Sequence, residues 1–482
     1  MEELARPRLA ALPLVLALVL GALPVARAAA ADPKVDSTVR ADGTTIVRYV
    51  APKGQDNELT LRVRAEGLDP YKRQFGILED TGVDFYDVGA DSLDSTGPLC
   101  HPQGTGVGCD VVGTRVEVHV QLANGDDYIS PEYDSGRLTP LRVDGGSGND
   151  ALQVRGAIPT AVDFHGGPGV DAVDYFDPAR HPFDFSDDGL ANDGLGHDSI
   201  HSDVELYIGG DGNDRFAFVG TQRHIVFGTG GDDTMISGPG PEEFDGGYGG
   251  DASGHDAPSD DTVSYAGRTA GVTVTLDGFA DDGARGEGDY ILPTVEHVIG
   301  TDRPDTLVGP AHAPDRRAYR LEGGGGNDVL SGGGGTDLVD AGAGNDVIVV
   351  LGGGKDAVRC GLGTDLLVAD KSDPSRDCEH VSHSYVRAAS TQSGSAVEAT
   401  VAVPAPGSKV TATLFSGKRT RAGSQTLKLG AGLRELRVGL NGDARRALRK
   451  ARSLPLTLRV RISSRGRATV SSTKRVTLSG GA

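Results

Sequence analysis

Residues 322–367 read EGGGGNDVLSGGGGTDLVDAGAGNDVIVVLGGGKDAVRCGLGTDLL, with aspartate at 328, 337, 346, 356 and 365, nearly every ninth residue, behind a run of glycines each time. A flexible linker accounts for the glycine but not for the regular acid. Aligned on the aspartate, the copies share the pattern G-G-x-G-x-D-x-U-x, where U is apolar. The same register recurs upstream in GGSGNDALQ at 145–153, GGPGVDAVD at 166–174, GGDGNDRFA at 209–217 and GTGGDDTMI at 228–236, with a degenerate RPDTLV at 303–308. The residue two places after each aspartate is Leu152, Val173, Phe216, Met235, Leu307, Leu330, Val339, Ile348, Val358 and Leu367, apolar every time.

Glycine permits the positive φ and close backbone approach of a tight turn, and D-x-U-x is long enough for one very short strand with a single inward side chain. Two nonapeptides then make a coil of about 18 residues with a turn at each end, and coils stack in parallel. The expected fold is all-β, a parallel β-roll. Asp328, Asp346 and Asp365 fall on one edge of it, Asp337 and Asp356 on the other. Coils lie about 4.8 Å apart, where two carboxylates repel by roughly 0.9 kcal/mol in water and about 3.5 kcal/mol at an effective dielectric of 20. A ladder of bare aspartates over so thin a core calls for a hard cation. Calcium takes six to eight oxygens and suits carboxylates combined with glycine-turn carbonyls. Magnesium demands a stricter octahedron, and zinc finds no Cys or His in the repeated positions.

The nonapeptide resembles the RTX, or haemolysin-type, calcium-binding repeat. The resemblance covers roughly 144–370 and implies Ca2+ between turns of successive coils, held by the motif aspartate and by backbone carbonyls. Matched residue by residue, it implies side-chain ligation by Asp150, Asp171, Asp214, Asp233, Asp328, Asp337, Asp346, Asp356 and Asp365. Carbonyl ligation is implied at Gly323, Gly325, Asn327, Gly332, Gly334 and Thr336. The chain departs from the pattern where Ala341, Leu351 and Cys360 replace the first glycine and where Lys355 precedes Asp356.

Composition agrees with a thin fold held by ions: 482 residues contain 72 Gly, no Trp and a net charge of −21, which suits cations and repels nucleic acid. Arg6 and Arg8 precede the apolar run LAALPLVLALVLGALPVA, and Ala26-Arg27-Ala28 offers a cleavage site, so 1–31 reads as a signal peptide and the protein as secreted, with no membrane span in its mature form. The family's usual export signal is instead C-terminal. Four cysteines in an exported chain favour two disulfides; of the three possible pairings, Cys100–Cys109 with Cys360–Cys378 closes the shortest loops and is the expected one. Residues 32–143 read as a β-rich cap, 144–385 as the roll with two β-rich inserts, 386–395 as a linker and 396–482 as a small β-sandwich. From 388 onward there are 18 Lys and Arg against Glu398, Glu435 and Asp443. That basic module is a candidate for anionic cell-wall polymers or surface glycans. DARRALRKAR is its one expected helix.

The inserts at 171–214 and 261–305 resemble each other, and their acidic loops (Asp187, Asp188, Asp193, Asp281, Asp282, Glu287, Asp289) are either further calcium ligands or solvated turns. No H-E-x-x-H, G-x-S-x-G or phosphate-binding loop occurs. The pairs His197/His201 and His380/His383 lack the metalloprotease glutamate. The sequence therefore points to a non-enzymatic calcium-binding β-roll protein. The alternatives are a secreted carbohydrate-active enzyme and a surface adhesin.

Overall fold

The computed structural model describes residues 33–479 except 43, 52, 54–56, 65–81, 88–93, 96–98, 104–105, 111–114, 134–139, 156–160, 178–179, 196, 248–258, 312–317, 353, 418–419 and 466–468. The expected signal segment lies outside the described residues. The protein is all-β and divides into two compact units, Met1–Ser259 and Asp260–Ala482.

In the second unit, the glycine–aspartate stretch at 322–367 and its flanks fold into three-residue strands. Arg320–Glu322, Leu338–Asp340 and Ala357–Arg359 pair in parallel in one sheet. Val329–Ser331, Val347–Val349 and Leu366–Val368 do so in the other. One strand from each sheet makes a coil, and successive motif aspartates on one edge are 18 and 19 residues apart. Only the middle residue of such a strand points inward, which is why U must be apolar. All ten U residues are buried, none more than 4% exposed. Each contributes on the order of 1.5–3 kcal/mol by burial, a small sum for so long a chain.

The turns explain the glycines. Gly324, Gly342 and Gly361 occupy one stacked position at φ of 88°, 94° and 101°, a region that residues with a Cβ rarely adopt. A Cβ on Gly344 would overlap the carbonyl oxygen of Gly326 in the neighbouring turn.

The first unit has the same construction with longer coils. Tyr128–Tyr133, Ala151–Arg155, Ala172–Phe176, Leu206–Ile208, His224–Phe227 and Glu242–Asp245 follow one another in parallel. Its interior is filled by aromatic rings, with Phe185 stacked on Phe216 at 4.9 Å and Tyr175 edge-on to Phe185 at 5.0 Å. The parallel ladder also begins earlier than the expected boundary at 144. Thr44–Val50 pairs in parallel with Arg115–Gln121, and that strand pairs with Leu141–Asp144. Alternating apolar strands such as RVEVHVQ stack without the glycine–aspartate motif, so the motif alone placed the boundary too late. Antiparallel pairing marks the start of the described residues, as between Lys34–Val39 and Thr44–Val50.

The C-terminal module is a sandwich of a three-stranded and a five-stranded sheet. The expected helix spans Gly442–Ala451, capped by Asn441, whose side chain accepts the Ala444 N–H at 2.9 Å. The expected linker is corrected: Val386–Arg387 pairs with Ala396–Val403, and Thr391–Ser393 with Val470–Ser479, so 386–395 holds two strands of the sandwich. Small polar composition disguised them, because each is short and at a sheet edge. Val349, Leu366 and Val368 of the roll share one apolar cluster with Tyr385, Val397, Val401 and Leu436 of the sandwich, so within this unit the module is fixed to the roll by burial.

Both expected disulfides are present, Cys100–Cys109 across a hairpin and Cys360–Cys378 at the last coil. The second closes an 18-residue separation. By the chain-entropy estimate it contributes about 3 kcal/mol. The oxidised Cys360→Ser/Cys378→Ser variant should lose about that much in urea denaturation at saturating calcium; an unchanged midpoint would show that the link does not constrain the unfolded chain.

Candidate metal centre

Every motif aspartate opens a strand, and its carboxylate turns back toward the coil before it. Oδ1 accepts the backbone N–H of the residue at the equivalent position one coil before. On one edge, Asp305 N–H donates to Asp328 at 2.8 Å, Asp328 to Asp346 at 2.8 Å and Asp346 to Asp365 at 2.9 Å. On the other, Tyr319 N–H donates to Asp337 at 3.2 Å and Asp337 to Asp356 at 2.9 Å. The two edges divide the aspartates as the repeat length implies. In the first unit the ladder runs from Asp127 to Asp150 at 3.0 Å and from Asp150 to Asp171 at 2.7 Å, and separately from Asp214 to Asp233 at 2.8 Å.

The second oxygen is the informative one. Oδ2 of Asp150, Asp171, Asp328, Asp346 and Asp365 is buried and accepts no hydrogen bond. A buried acceptor left this way costs about 1–3 kcal/mol, more when charged. The first glycine of the motif makes its room: a Cβ on Gly323 would stand 2.6 Å from Asp328 Oδ2, and one on Gly145 2.5 Å from Asp150 Oδ2. Not every member is alike. Asp214 is satisfied at both oxygens, by the N–H of Phe183 at 2.8 Å and of Gly210 at 2.7 Å. Asp305 likewise accepts from Val272 and Thr301.

In two of the stacked turns, outside the expected donor set, the carbonyl at the third position is already used between coils. Ala343 O accepts from Gly326 at 2.8 Å and Leu362 O from Gly344 at 2.7 Å, leaving one lone pair each; Gly325 is the equivalent residue one coil earlier. Gly323 and Asn327 lie in the turns of that edge, and Gly332, Gly334 and Thr336 in those of the other. The side chain of Asn327 has a further use: its Oδ1 accepts the Asn345 N–H at 2.8 Å, and Asn345 does the same for Thr364. The donor set of buried carboxylates and turn carbonyls, all hard oxygens, fits calcium.

Burial drives these carboxyls upward, with like charges in adjacent coils adding to it and the ladder hydrogen bond opposing it. Asp328 and Asp171 are pushed up to about 8, Asp150 to about 7, and Asp346 and Asp356 to about 6.

The acidic insert loops serve the fold. Asp193 accepts Ser186 N–H at 2.6 Å and Ile200 N–H at 2.7 Å; Asp282 accepts Thr275 N–H at 2.6 Å and Ile291 N–H at 3.1 Å. Tyr175 and Tyr265 donate to Asp198 and Asp289 in turn, so the two inserts repeat one device. The ladder also includes residues that the motif did not find. Asp127 accepts from Asn57 at 2.6 Å, Glu205 from Asp171 at 2.9 Å, Glu379 from Asp365 at 2.9 Å and Asp373 from Asp356 at 3.3 Å. Asp127, Glu205 and Glu379 keep an apolar residue two places on (Ile129, Tyr207, Val381), a signal legible once glycine is not required.

The family model of the RTX calcium-binding nonapeptide repeat, in four copies, matches residues 320–348. Over that stretch the chain therefore carries nonapeptide repeats of the RTX calcium-binding kind. No curated protein matches the chain.

A raised carboxyl binds its proton more tightly in the folded chain than in the unfolded one, where aspartate titrates near 3.9. Metal-free stability should therefore be greatest at acid pH and fall as pH rises from about 4 to about 8. Calcium must displace those protons, so its stabilisation should grow over the same window. Melting curves at about pH 5 and about pH 8, in chelator and in calcium, should show opposite trends; parallel trends would mean that the raised carboxyls are not the calcium ligands.

Proposed function

We propose that this is a secreted, non-catalytic protein that binds Ca2+ along its aspartate ladders and completes its fold on doing so. The observation that carries the reading is the row of buried, donor-less Oδ2 atoms at Asp150, Asp171, Asp328, Asp346 and Asp365. A cation between coils satisfies those oxygens and relieves the repulsion between neighbouring carboxylates in one step. Extracellular calcium modules bind at about 10⁻⁴–10⁻³ M, and each site filled tenfold over its dissociation constant adds about 1.4 kcal/mol. Several such sites amount to a large part of an ordinary domain's stability. Two disulfides suit an oxidising compartment outside the cytoplasm.

A specific surface favours an added role in attachment to anionic wall polymers or glycans. Lys409, Arg459, Arg461 and Arg475 are exposed on the strands of the five-stranded sheet, interleaved with Thr411, Thr457 and Ser463. Such a face suits sulfate- or carboxylate-bearing polymers, with affinity that salt weakens.

The full chain should lose β signal in chelator and regain it cooperatively with calcium, magnesium being a poor substitute. Asp346→Ala should raise the calcium midpoint, whereas Asp193→Ala should lower the melting temperature with and without calcium alike. Identical circular dichroism and melting with and without calcium would refute folding on binding. For the basic face, retention of the full chain on an acidic polymer should fall with added salt and with Arg459→Ala/Arg461→Ala; salt-independent retention would exclude it.

A further inference from the structure

The outer face of the first unit carries a cluster unrelated to the nonapeptide. Val162–His165 points Val162 and Phe164 into the core and Asp163 and His165 outward. The next coil pairs Ser199 with Asp163 and Ile200 with Phe164 in parallel, which sets His201 beside His165. The two imidazoles stack at 3.5 Å between centroids, 18° from parallel. Both turn a nitrogen toward one carboxylate oxygen: His201 Nε2 lies 2.8 Å and His165 Nε2 3.7 Å from Asp163 Oδ1. One donor atom from each of the three residues falls within 4.8 Å of the others.

We propose that Asp163, His165 and His201 form a second metal site, distinct from the calcium ladders, that takes a divalent transition cation of the Zn2+ type. Two imidazoles and one carboxylate are the donors preferred by zinc, nickel and copper and are foreign to calcium. In a tetrahedron with bonds of 2.0–2.1 Å, donors stand roughly 3.3 Å apart. The separations of 2.8 and 3.7 Å bracket that value. An ordinary histidine–aspartate hydrogen bond accounts for His201 alone and not for a second imidazole nitrogen 3.7 Å from the same oxygen; an ion lies in the plane of each imidazole that holds it, so the two stacked rings must splay apart as it binds. Three protein ligands leave the fourth position to water or an outside group.

The surroundings support the assignment. His165 Nδ1 faces Asp203 Oδ2 at 3.9 Å, in ion-pair range and beyond a hydrogen bond, and Asp203 is itself held by the Gly167 N–H at 3.0 Å; a small turn of the ring completes the carboxylate–histidine arrangement that orients metal-binding imidazoles. Arg142 Nε lies 3.8 Å from Asp163 Oδ2, leaving Oδ1 to the histidines. Gly189 lies against the His201 ring: a Cβ there would stand 2.8 Å from Nδ1. The three ligands are part-exposed, so the site is open to a cation from solvent. The sequence pair His197/His201 is not the site; the partner of His201 comes from the preceding coil.

The test uses the full chain in excess calcium, so that the ladder sites are filled, and titrates ZnCl2 by calorimetry. One equivalent of Zn2+ should bind. His165→Ala and His201→Ala should each abolish it, while Asp203→Asn should weaken it by about 10–100-fold, as loss of an outer partner does. Both histidine variants should keep the wild-type calcium midpoint. Cobalt in place of zinc should give a visible absorption band in the wild type that His201→Ala lacks. If a variant fails to fold, the imidazole nitrogen resonances of His165 and His201 in the wild type decide: they should move with one equivalent of Zn2+. Unmoved resonances, absence of stoichiometric binding, or unchanged affinity in a folded histidine variant would each overturn the site.

Discussion

Oδ1 of each ladder aspartate holds a backbone N–H of the coil before it, which fixes the carboxylate inside the turn and leaves Oδ2 of Asp328, Asp346 and Asp365 sealed there without a donor. That geometry cannot be relaxed by rotating the side chain, because rotation breaks the bond joining two coils. At Asp328 the first glycine clears space for the oxygen, a position that Ala341 and Cys360 take for Asp346 and Asp365; the glycines further along allow the turns to stack, and the short strand offers one apolar residue to the interior. Taken alone, such a turn places like charges about 4.8 Å apart in a buried setting, an arrangement that needs either a proton or a cation.

The two units meet this need to different degrees. The first supplements its ladder with a large aromatic interior, and at Asp214 it satisfies both carboxylate oxygens from the backbone. In the second, the repeats between 320 and 368 have only single aliphatic residues inside each strand, but the sandwich packs against Val349, Leu366 and Val368 from outside. Dependence on calcium should thus be greatest where the motif is densest and the interior thinnest.

Most of the roll was legible because its grammar is local: Asp346 and Ile348 report a turn and an inward residue within three positions of chain. The edge assignment of Asp328, Asp346 and Asp365 against Asp337 and Asp356 followed from arithmetic, and both disulfides from loop length. What escaped was non-local or written in other residues. Glu205 and Glu379 continue the ladder with a longer side chain and no glycine run, and the strands at 44–50 and 115–121 stack through alternating apolar residues alone. The pairing of His165 with His201 depends on the register of two strands separated by an insert, which no spacing along the chain reveals. Asp193 and Asp282 looked like loop acids, yet each closes its insert by holding two backbone N–H groups.

The most direct measurement is a crystal structure of the calcium-loaded protein with anomalous differences recorded to locate the ions. Calcium should lie in the stacked turns, within about 2.3–2.6 Å of Oδ2 of Asp328, Asp346 and Asp365 and of turn carbonyls. Ordered protein at saturating calcium with no ion beside those oxygens would contradict it.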